Sequence, residues 1–227
     1  MHPQSCTRDV FLLPNLPSPP DLNFLNPLVV QERVLRAGDA VTLSVDSAQP
    51  ILLAREGIGF GYALLEDGRR QVECLCYPGD VLGLREGLLG LGASFLEAAT
   101  DMRLSVIDAD RLRAWLRDSP RFEMCWMMAR DAHLLSQWLA SAGQRSAAEG
   151  IAWFAGHAYD RARRIGMGSV DRVPFPFRQQ VIADALGLSL VHTNKTIRRL
   201  RAEGAFVIED GYLTLPDPGR LRALARG

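Results

Sequence analysis

The sequence predicts an α+β protein with an N-terminal all-β unit, a long helical segment and a C-terminal winged helix-turn-helix. Three observations carry that prediction. Between Leu28 and Ile107 short apolar runs alternate with turn residues. After Ile107 the hydrophobic period lengthens from two to about 3.6. From Gln179 onward, two helical patterns separated by Gly187 precede two strand-like runs.

Residues 1–27 are interrupted by Pro3, Pro14, Pro17, Pro19, Pro20 and Pro27, which lack a backbone donor and break helices and ladders alike. They predict an irregular leader. Residues 28–108 form the all-β unit, whose best hairpin is Tyr62 to Leu75, turning at Asp67-Gly68, where glycine can take a positive φ. Pro78-Gly79 and Ala37-Gly38-Asp39 mark further turns. Met102, Leu104 and Val106 alternate with Arg103 and Ser105, which predicts a strand with one dry and one wet face.

The segment from Asp110 to about Gly166 is rich in helix formers. Residues 109–142 read as one long helix with two neighbouring apolar stripes. One runs through Phe122, Trp126, Ala129, His133, Ser136 and Ala140; the other runs through Cys125, Met128, Ala132, Leu135 and Leu139. One stripe can be buried in its own domain while the other needs a partner, so Met128, Ala132, Leu135 and Leu139 are the expected homodimer contacts. A helix buried inside a monomer would show the same periodicity. Gly143 and Ser146 interrupt this helix, and a second continues from Glu149 to Arg164. Residues 143–227 then form the last unit, entered through Val173-Pro174-Phe175-Pro176-Phe177, an arm that cannot be helical throughout.

Within that unit Val181, Ile182, Ala185 and Leu186 fit a first helix, and Ser189 is a good N-cap for a second. Thr193, Thr196, Ile197 and Leu200 occupy i, i+3, i+4 and i+7 and predict its inward side. The opposite side carries Val191, Lys195 and Arg198, flanked by His192, Asn194, Arg199 and Arg201. An apolar back and a basic, hydrogen-bonding front suit the major groove of double-stranded DNA. Val191, His192, Asn194 and Lys195 are candidates for base or adjacent contacts, and Ser189, Arg198 and Arg199 for phosphate contacts; Gln180, at the start of the first helix, joins the DNA-binding set. A solvated helix would also carry arginines. The runs Ala205–Ile208 and Tyr212–Leu215 around Glu209-Asp210-Gly211 add a wing, and a helix from Pro218 to Ala225 closes the chain.

Bulk properties narrow the field. The 227 residues suffice for two compact units, and 48% hydrophobic content allows a sizeable core. No apolar run approaches the roughly 20 residues a spanning helix needs, and no secretory signal opens the sequence, so no membrane partner is expected and cytoplasmic residence is the default. A formal net charge of zero argues against coating nucleic acid along the whole surface. Cys6, Cys74, Cys76 and Cys125 lack the spacing of a zinc site and read as free thiols, with redox sensing at Cys74 or Cys76 the alternative.

Ile182-Ala183-Asp184-Ala185-Leu186-Gly187-Leu188-Ser189 followed by Thr196-Ile197-Arg198-Arg199-Leu200-Arg201-Ala202-Glu203-Gly204 resembles the winged helix of the cyclic AMP receptor and fumarate-nitrate regulator (Crp/Fnr) superfamily. Leu134–Leu139 with Gly143–Glu149 looks like its dimer helix and following segment, and Pro78–Leu84 looks like its sensory β-roll. The resemblance spans nearly everything after Leu28. It implies a β-roll of the cyclic-nucleotide-binding-like jelly-roll type, a dimerisation helix and a bacterial winged helix-turn-helix transcription regulator on a palindromic site, with RNA polymerase as a further partner. Family members that bind cyclic nucleotides carry a Glu for the ribose and an Arg-Ser pair for the phosphate; here those places hold Leu84 and Gly92-Ala93. Cyclic AMP is therefore not expected, since a buried phosphate would lose its charge partner. Gly83, Leu84 and Arg85 remain the possible pocket for an unidentified effector. A four-thiolate cluster is not expected with Cys6 alone near the N-terminus, and His133 and His157 read as structural or surface residues rather than haem ligands. No cofactor and no metal are expected.

The competing reading is a winged-helix ligand-binding or protein-interaction module without DNA binding. An enzyme is not expected: Asp108 and Asp110, an acidic pair at a strand-helix junction, read as caps rather than catalysts.

Overall fold

The computed structural model of the chain describes residues 21–43, 50–90, 94–118, 122–169 and 171–226. The chain divides into two compact units, one over Pro19–Trp138 and one built on Leu139–Gly227.

A 3-10 helix over Asn23–Leu28 opens the first unit and buries Leu25 and Leu28. Residues three apart eclipse in this helix type, which aims both leucines at one core. The end of the expected irregular leader is therefore structural; residues 1–20, including Cys6, lie outside the described residues. The strands are β1 (Val29–Leu35), β2 (Ala40–Thr42), β3 (Ile51–Glu56), β4 (Gly59–Leu64), β5 (Arg70–Cys76), β6 (Val81–Leu82), β7 (Phe95–Ala98) and β8 (Met102–Ile107), with a short helix α1 (Leu84–Leu89) after β6. They form two antiparallel sheets, ordered β1-β8-β3-β6 and β2-β7-β4-β5. Leu52, Ala54 and Leu104 of the first pack with Cys76, Leu96 and Ala98 of the second in one cluster. Ile51, Leu53 and Ile107 point to the other face and join Leu25, Leu28, Leu84 and Leu112 in a second cluster. Two-sided burial explains why β3 reads as an unbroken apolar run. The hairpin of β4 and β5 turns where expected: Gly68 has φ +83°, and the Asp67 carboxylate accepts from Arg69 N at 3.1 Å.

The expected wet face of β8 is wet at only one of its two polar positions. Arg103 is exposed and pairs with Glu56, whereas Ser105 is fully buried, its Oγ accepting from Arg55 Nε and donating to Glu32 Oε1, both at 2.7 Å. A buried hydroxyl is tolerated when both its capacities are used in this way.

Residues 109–142 are two helices rather than one: α2 (Ala109–Asp118) and α3 (Phe122–Gly143). Pro120 separates them in sequence, and a proline there removes a donor and pushes its predecessor out of the helical region. Asp108 caps α2, its carboxylate accepting from Arg111 N at 2.9 Å, and Asp110 pairs with Arg113. The inward stripe of α3 begins with Met124 and Met127, packed in the second cluster, which differs from the stripe expected to face inward. Between them Trp126 carries the guanidinium of Arg130 at 5.6 Å. Arg130 Nη1 lies 3.2 Å from Asp80 Oδ1, close enough for charge attraction though not aligned as a hydrogen bond, while Asp80 Oδ2 accepts from Tyr77 N at 2.9 Å. This pair ties α3 to the Pro78-Gly79 turn of the β-roll.

The second unit starts with the end of α3 and continues through α4 (Ala147–Arg164), β9 (Arg172–Pro174), α5 (Gln179–Leu186), α6 (Leu190–Ala202), β10 (Val207–Glu209), β11 (Tyr212–Thr214) and α7 (Pro218–Arg226). A capping box starts α4: Ser146 Oγ accepts from Glu149 N at 3.4 Å and Glu149 Oε2 accepts from Ser146 N at 2.8 Å. Arg161, Arg163 and Arg164 at its far end complement the helix dipole. Phe154 of α4 meets Phe175 and Phe177 edge to face at 6.1 and 5.7 Å, so the proline-rich arm supplies core aromatics. That arm also begins as a strand, because β9 pairs with β11 in a three-stranded sheet ordered β10-β11-β9.

With Arg130 and Asp80 both nearly buried, removing the cation strands a carboxylate in the interior. Arg130→Ala is expected to lower the unfolding free energy by about 3 kcal/mol in urea titration. Asp131→Ala, whose carboxylate is 45% exposed, should cost below about 1 kcal/mol.

Candidate nucleic-acid interface

Two helices and a glycine turn position the interface. The turn is Gly187, with φ +65°, whose N–H donates to Ala183 O; Leu188 N reaches the same carbonyl at 3.0 Å. This left-handed residue stops α5 and reverses the chain at little steric cost. Ser189 then caps α6, its Oγ accepting from His192 N at 3.2 Å.

The inward side of α6 is the one expected, with Thr193, Thr196, Ile197 and Leu200 all buried. Val191, His192, Lys195, Arg198 and Arg199 are exposed, Val191 to 80%. Among the described residues Lys195 and Arg198 enter no ion pair. Arg199 lies 3.8 Å from Glu203, a distant pairing between exposed groups that leaves its guanidinium available. Gln180, exposed on α5, donates from Nε2 to Asp184 Oδ1 at 2.6 Å. Asn194 sits lower on the flank than its neighbours. It is half-buried, and its Oδ1, like Thr193 Oγ1, is buried without a hydrogen-bond partner among the described residues.

Beside α6 stands the wing. Val207 faces Thr214 and Glu209 faces Tyr212 in register, and the turn between them places Asp210 at φ +50° and Gly211 at φ +76°. Two successive positive φ values are what a tight two-residue hairpin requires. Arg172 of β9 lies over the Tyr212 ring at 4.5 Å, which adds a cation to the same sheet. Neither β9 as a strand nor Arg172 as a neighbour of the wing is legible in the sequence, because Pro174 within the strand and Pro176 beyond it mask the pattern of Arg172–Pro174.

On α3, Met128, Leu135 and Leu139 are 54%, 50% and 74% exposed, with Ala132 also exposed between them. Their spacings of four, three and four residues make one apolar seam. Phe122, at the head of the other stripe, is exposed to 76%.

The three residues singled out in the β-roll are differently employed. Gly83 has φ +75°, and a Cβ there would come within 2.6 Å of Pro50 O. Leu84 is packed in the core. Arg85 donates to Glu86 Oε1 at 2.6 Å and to Glu73 Oε2 at 3.2 Å. Glu86 is only 2% exposed and also accepts from Ser94 Oγ at 2.9 Å. The positions of Gly92 and Ala93 lie outside the described residues. Close by in sequence, Cys74 packs against Gly61, and burial pushes its thiol up to about 12. Cys76 is fully buried, Cys125 is exposed on α3, His133 is exposed and His157 is buried, stacked on Trp153 at 5.1 Å.

Comparison with known proteins agrees with this architecture. The Crp-like helix-turn-helix domain family matches residues 132–224. The nitrogen fixation regulation protein FixK of Bradyrhizobium diazoefficiens is 30% identical over 192 residues, covering 83% of this chain and 79% of that protein. The transcriptional activatory protein AadR of Rhodopseudomonas palustris is 32% identical over 173 residues, 75% of this chain and 71% of its own. Among solved structures, FixK2 from Bradyrhizobium japonicum superposes with a TM-score of 0.73 at 23% identity, covering 87% of this chain and 98% of that one. With β-roll, helix and winged helix-turn-helix in this order, and with relatives matched over most of their length, the chain belongs to the Crp/Fnr family of DNA-binding transcription regulators.

Proposed function

We propose that the chain acts as a homodimer on a two-fold symmetric operator, each protomer laying α6 in a major groove. The observation that carries this reading is the bare face of α6, where Lys195 and Arg198 stand exposed with no ion pair among the described residues while the opposite side is buried. Val191, His192 and Lys195 lie toward the helix N-terminus, the end that reaches base edges, with Asn194 on the flank; Ser189, Arg198, Arg199 and Gln180 suit phosphates and register. Ser189 keeps its hydroxyl hydrogen free to donate while its oxygen caps the helix. The relatives' printed roles, in nitrogen fixation regulation and transcriptional activation, fit RNA polymerase as the eventual partner and the cytoplasm as the place of action.

For the subunit contact we propose the seam of Met128, Ala132, Leu135 and Leu139. An exposed apolar row on a long helix has no role in a monomer and closes naturally against its own copy.

An effector at Gly83, Leu84 and Arg85 would meet groups that are already employed. Arg85 is committed to two carboxylates, and Glu86 already occupies the interior beside it. A cyclic nucleotide phosphate brought here would compete with the Glu73 and Glu86 carboxylates for the Arg85 guanidinium. Redox sensing is disfavoured at Cys74, since the reactive species is the thiolate and burial pushes its thiol up.

Selection of bound duplexes from a random pool is expected to return a palindrome with half-sites about 34 Å apart; duplexes without symmetry would remove the dimer reading. Lys195→Ala should weaken specific binding, and Arg199→Ala should mainly lessen the salt slope, by about one unit per lost phosphate contact. Unchanged salt titrations of both variants would displace the DNA face from α6. Leu135→Glu or Leu139→Glu should sediment as a monomer. Cyclic AMP is expected to leave both the melting temperature and the operator affinity unaltered in a thermal-shift and anisotropy titration.

A further inference from the structure

The front of α6 contains one residue that ordinary nucleic-acid electrostatics does not explain. Val191 is 80% exposed in the first turn, at the end of the helix that approaches base edges. It lies four residues before Lys195 and seven before Arg198, hence on the same face. Its neighbour Leu190 is 40% exposed and turned about 100° around the helix, off that line.

A valine offers neither donor nor acceptor. Pressed onto an amino group, a carbonyl or a ring nitrogen, it would strip water from that group and return nothing. The major-groove edges of the four base pairs carry a single apolar group, the C5-methyl of thymine. The valine side chain is also stiff, because branching at Cβ leaves one strongly preferred rotamer in a helix, so its methyls are held at a fixed position relative to the Lys195 stem. Residues four apart on a helix have Cβ atoms about 5–6 Å apart, and base pairs rise about 3.4 Å. The base pair under Val191 is therefore within about two of the one under Lys195.

We propose that Val191 is a specificity-determining residue that reads the methyl group of one thymine in each half-site, within two base pairs of the position contacted by Lys195. This rests on the DNA reading of α6 given above. A half-site with guanine, cytosine or adenine on the facing strand at that position is discriminated against by desolvation rather than by a missing hydrogen bond.

The test uses the full chain and the duplex recovered by selection. Each thymine is replaced in turn by deoxyuridine, symmetrically in both half-sites, and affinity is measured by fluorescence anisotropy for the wild type and for Val191→Ala. Uracil differs from thymine only by the methyl group. At one position the replacement should weaken wild-type binding about fourfold per half-site, the worth of one buried methyl, hence about fifteenfold for the pair. Val191→Ala should bind the thymine duplex with a comparable loss and show no further penalty for uracil there. The substitution is solvent-facing and leaves the core of the unit untouched. Uracil tolerated at every position by the wild type, or penalised equally in both proteins, would overturn the assignment while leaving DNA binding intact. Failure to recover any preferred duplex would appear before uracil is introduced and would overturn the DNA reading itself.

Discussion

The rotation of α6 about its own axis is set by four buried side chains, Thr193, Thr196, Ile197 and Leu200, and by the hydroxyl of Ser189 that starts the helix. Turning the helix by one residue, about 100°, would bring Asn194 inward and send Thr193 out, and Lys195 would leave the solvent side. The wing, the arm and α4 all serve this constraint. Phe154, Phe175 and Phe177 fill the space behind the helix pair, and β9 fastens the arm to the wing through β11. What α6 turns to solvent thus depends on an apolar packing decision made on the opposite side of the same helix.

The first unit is organised around a different economy, that of buried charge. Arg130 and Asp80 hold α3 to the turn after β5, and Arg85, Glu73, Glu86 and Ser94 form a second polar knot near α1. In both places a cation is already matched to a buried carboxylate, Asp80 in one and Glu86 in the other. An arginine already matched in this way leaves less of its charge for an anion from outside.

Much of this was legible in the sequence because it follows from short-range rules. The helix-turn-helix is written in the spacing of Val181, Ile182, Ala185 and Leu186, the glycine that stops them and the serine that begins again; the hairpin of Asp67-Gly68 and the wing of Asp210-Gly211 are turn chemistry. What escaped was set by tertiary context. Ser105 reads as a solvent-facing residue and is buried because Arg55 and Glu32 come to it from β3 and β1, contacts of long sequence separation. The inward stripe of α3 is led by Met124 and Met127, since the rotation of a helix with two apolar stripes is decided by what it packs against. Val173-Pro174 forms a strand because β11 is there to pair with it. Pro120, by contrast, was a local signal for dividing the helical segment, and the division follows it. The site residues on the front of α6 were readable as a face, whereas the half-burial of Asn194 was not.

The fit of Cys74 against Gly61 has a consequence for how this β-roll can change. A Cβ at position 61 would come within 2.7 Å of the Cys74 sulfur, so a residue larger than glycine is admitted there only if position 74 shrinks at the same time. Cys76, fully buried on the same strand and packed in the cluster between the sheets, closes off the alternative of shifting the strand inward. The two positions are thus bound to vary as a pair.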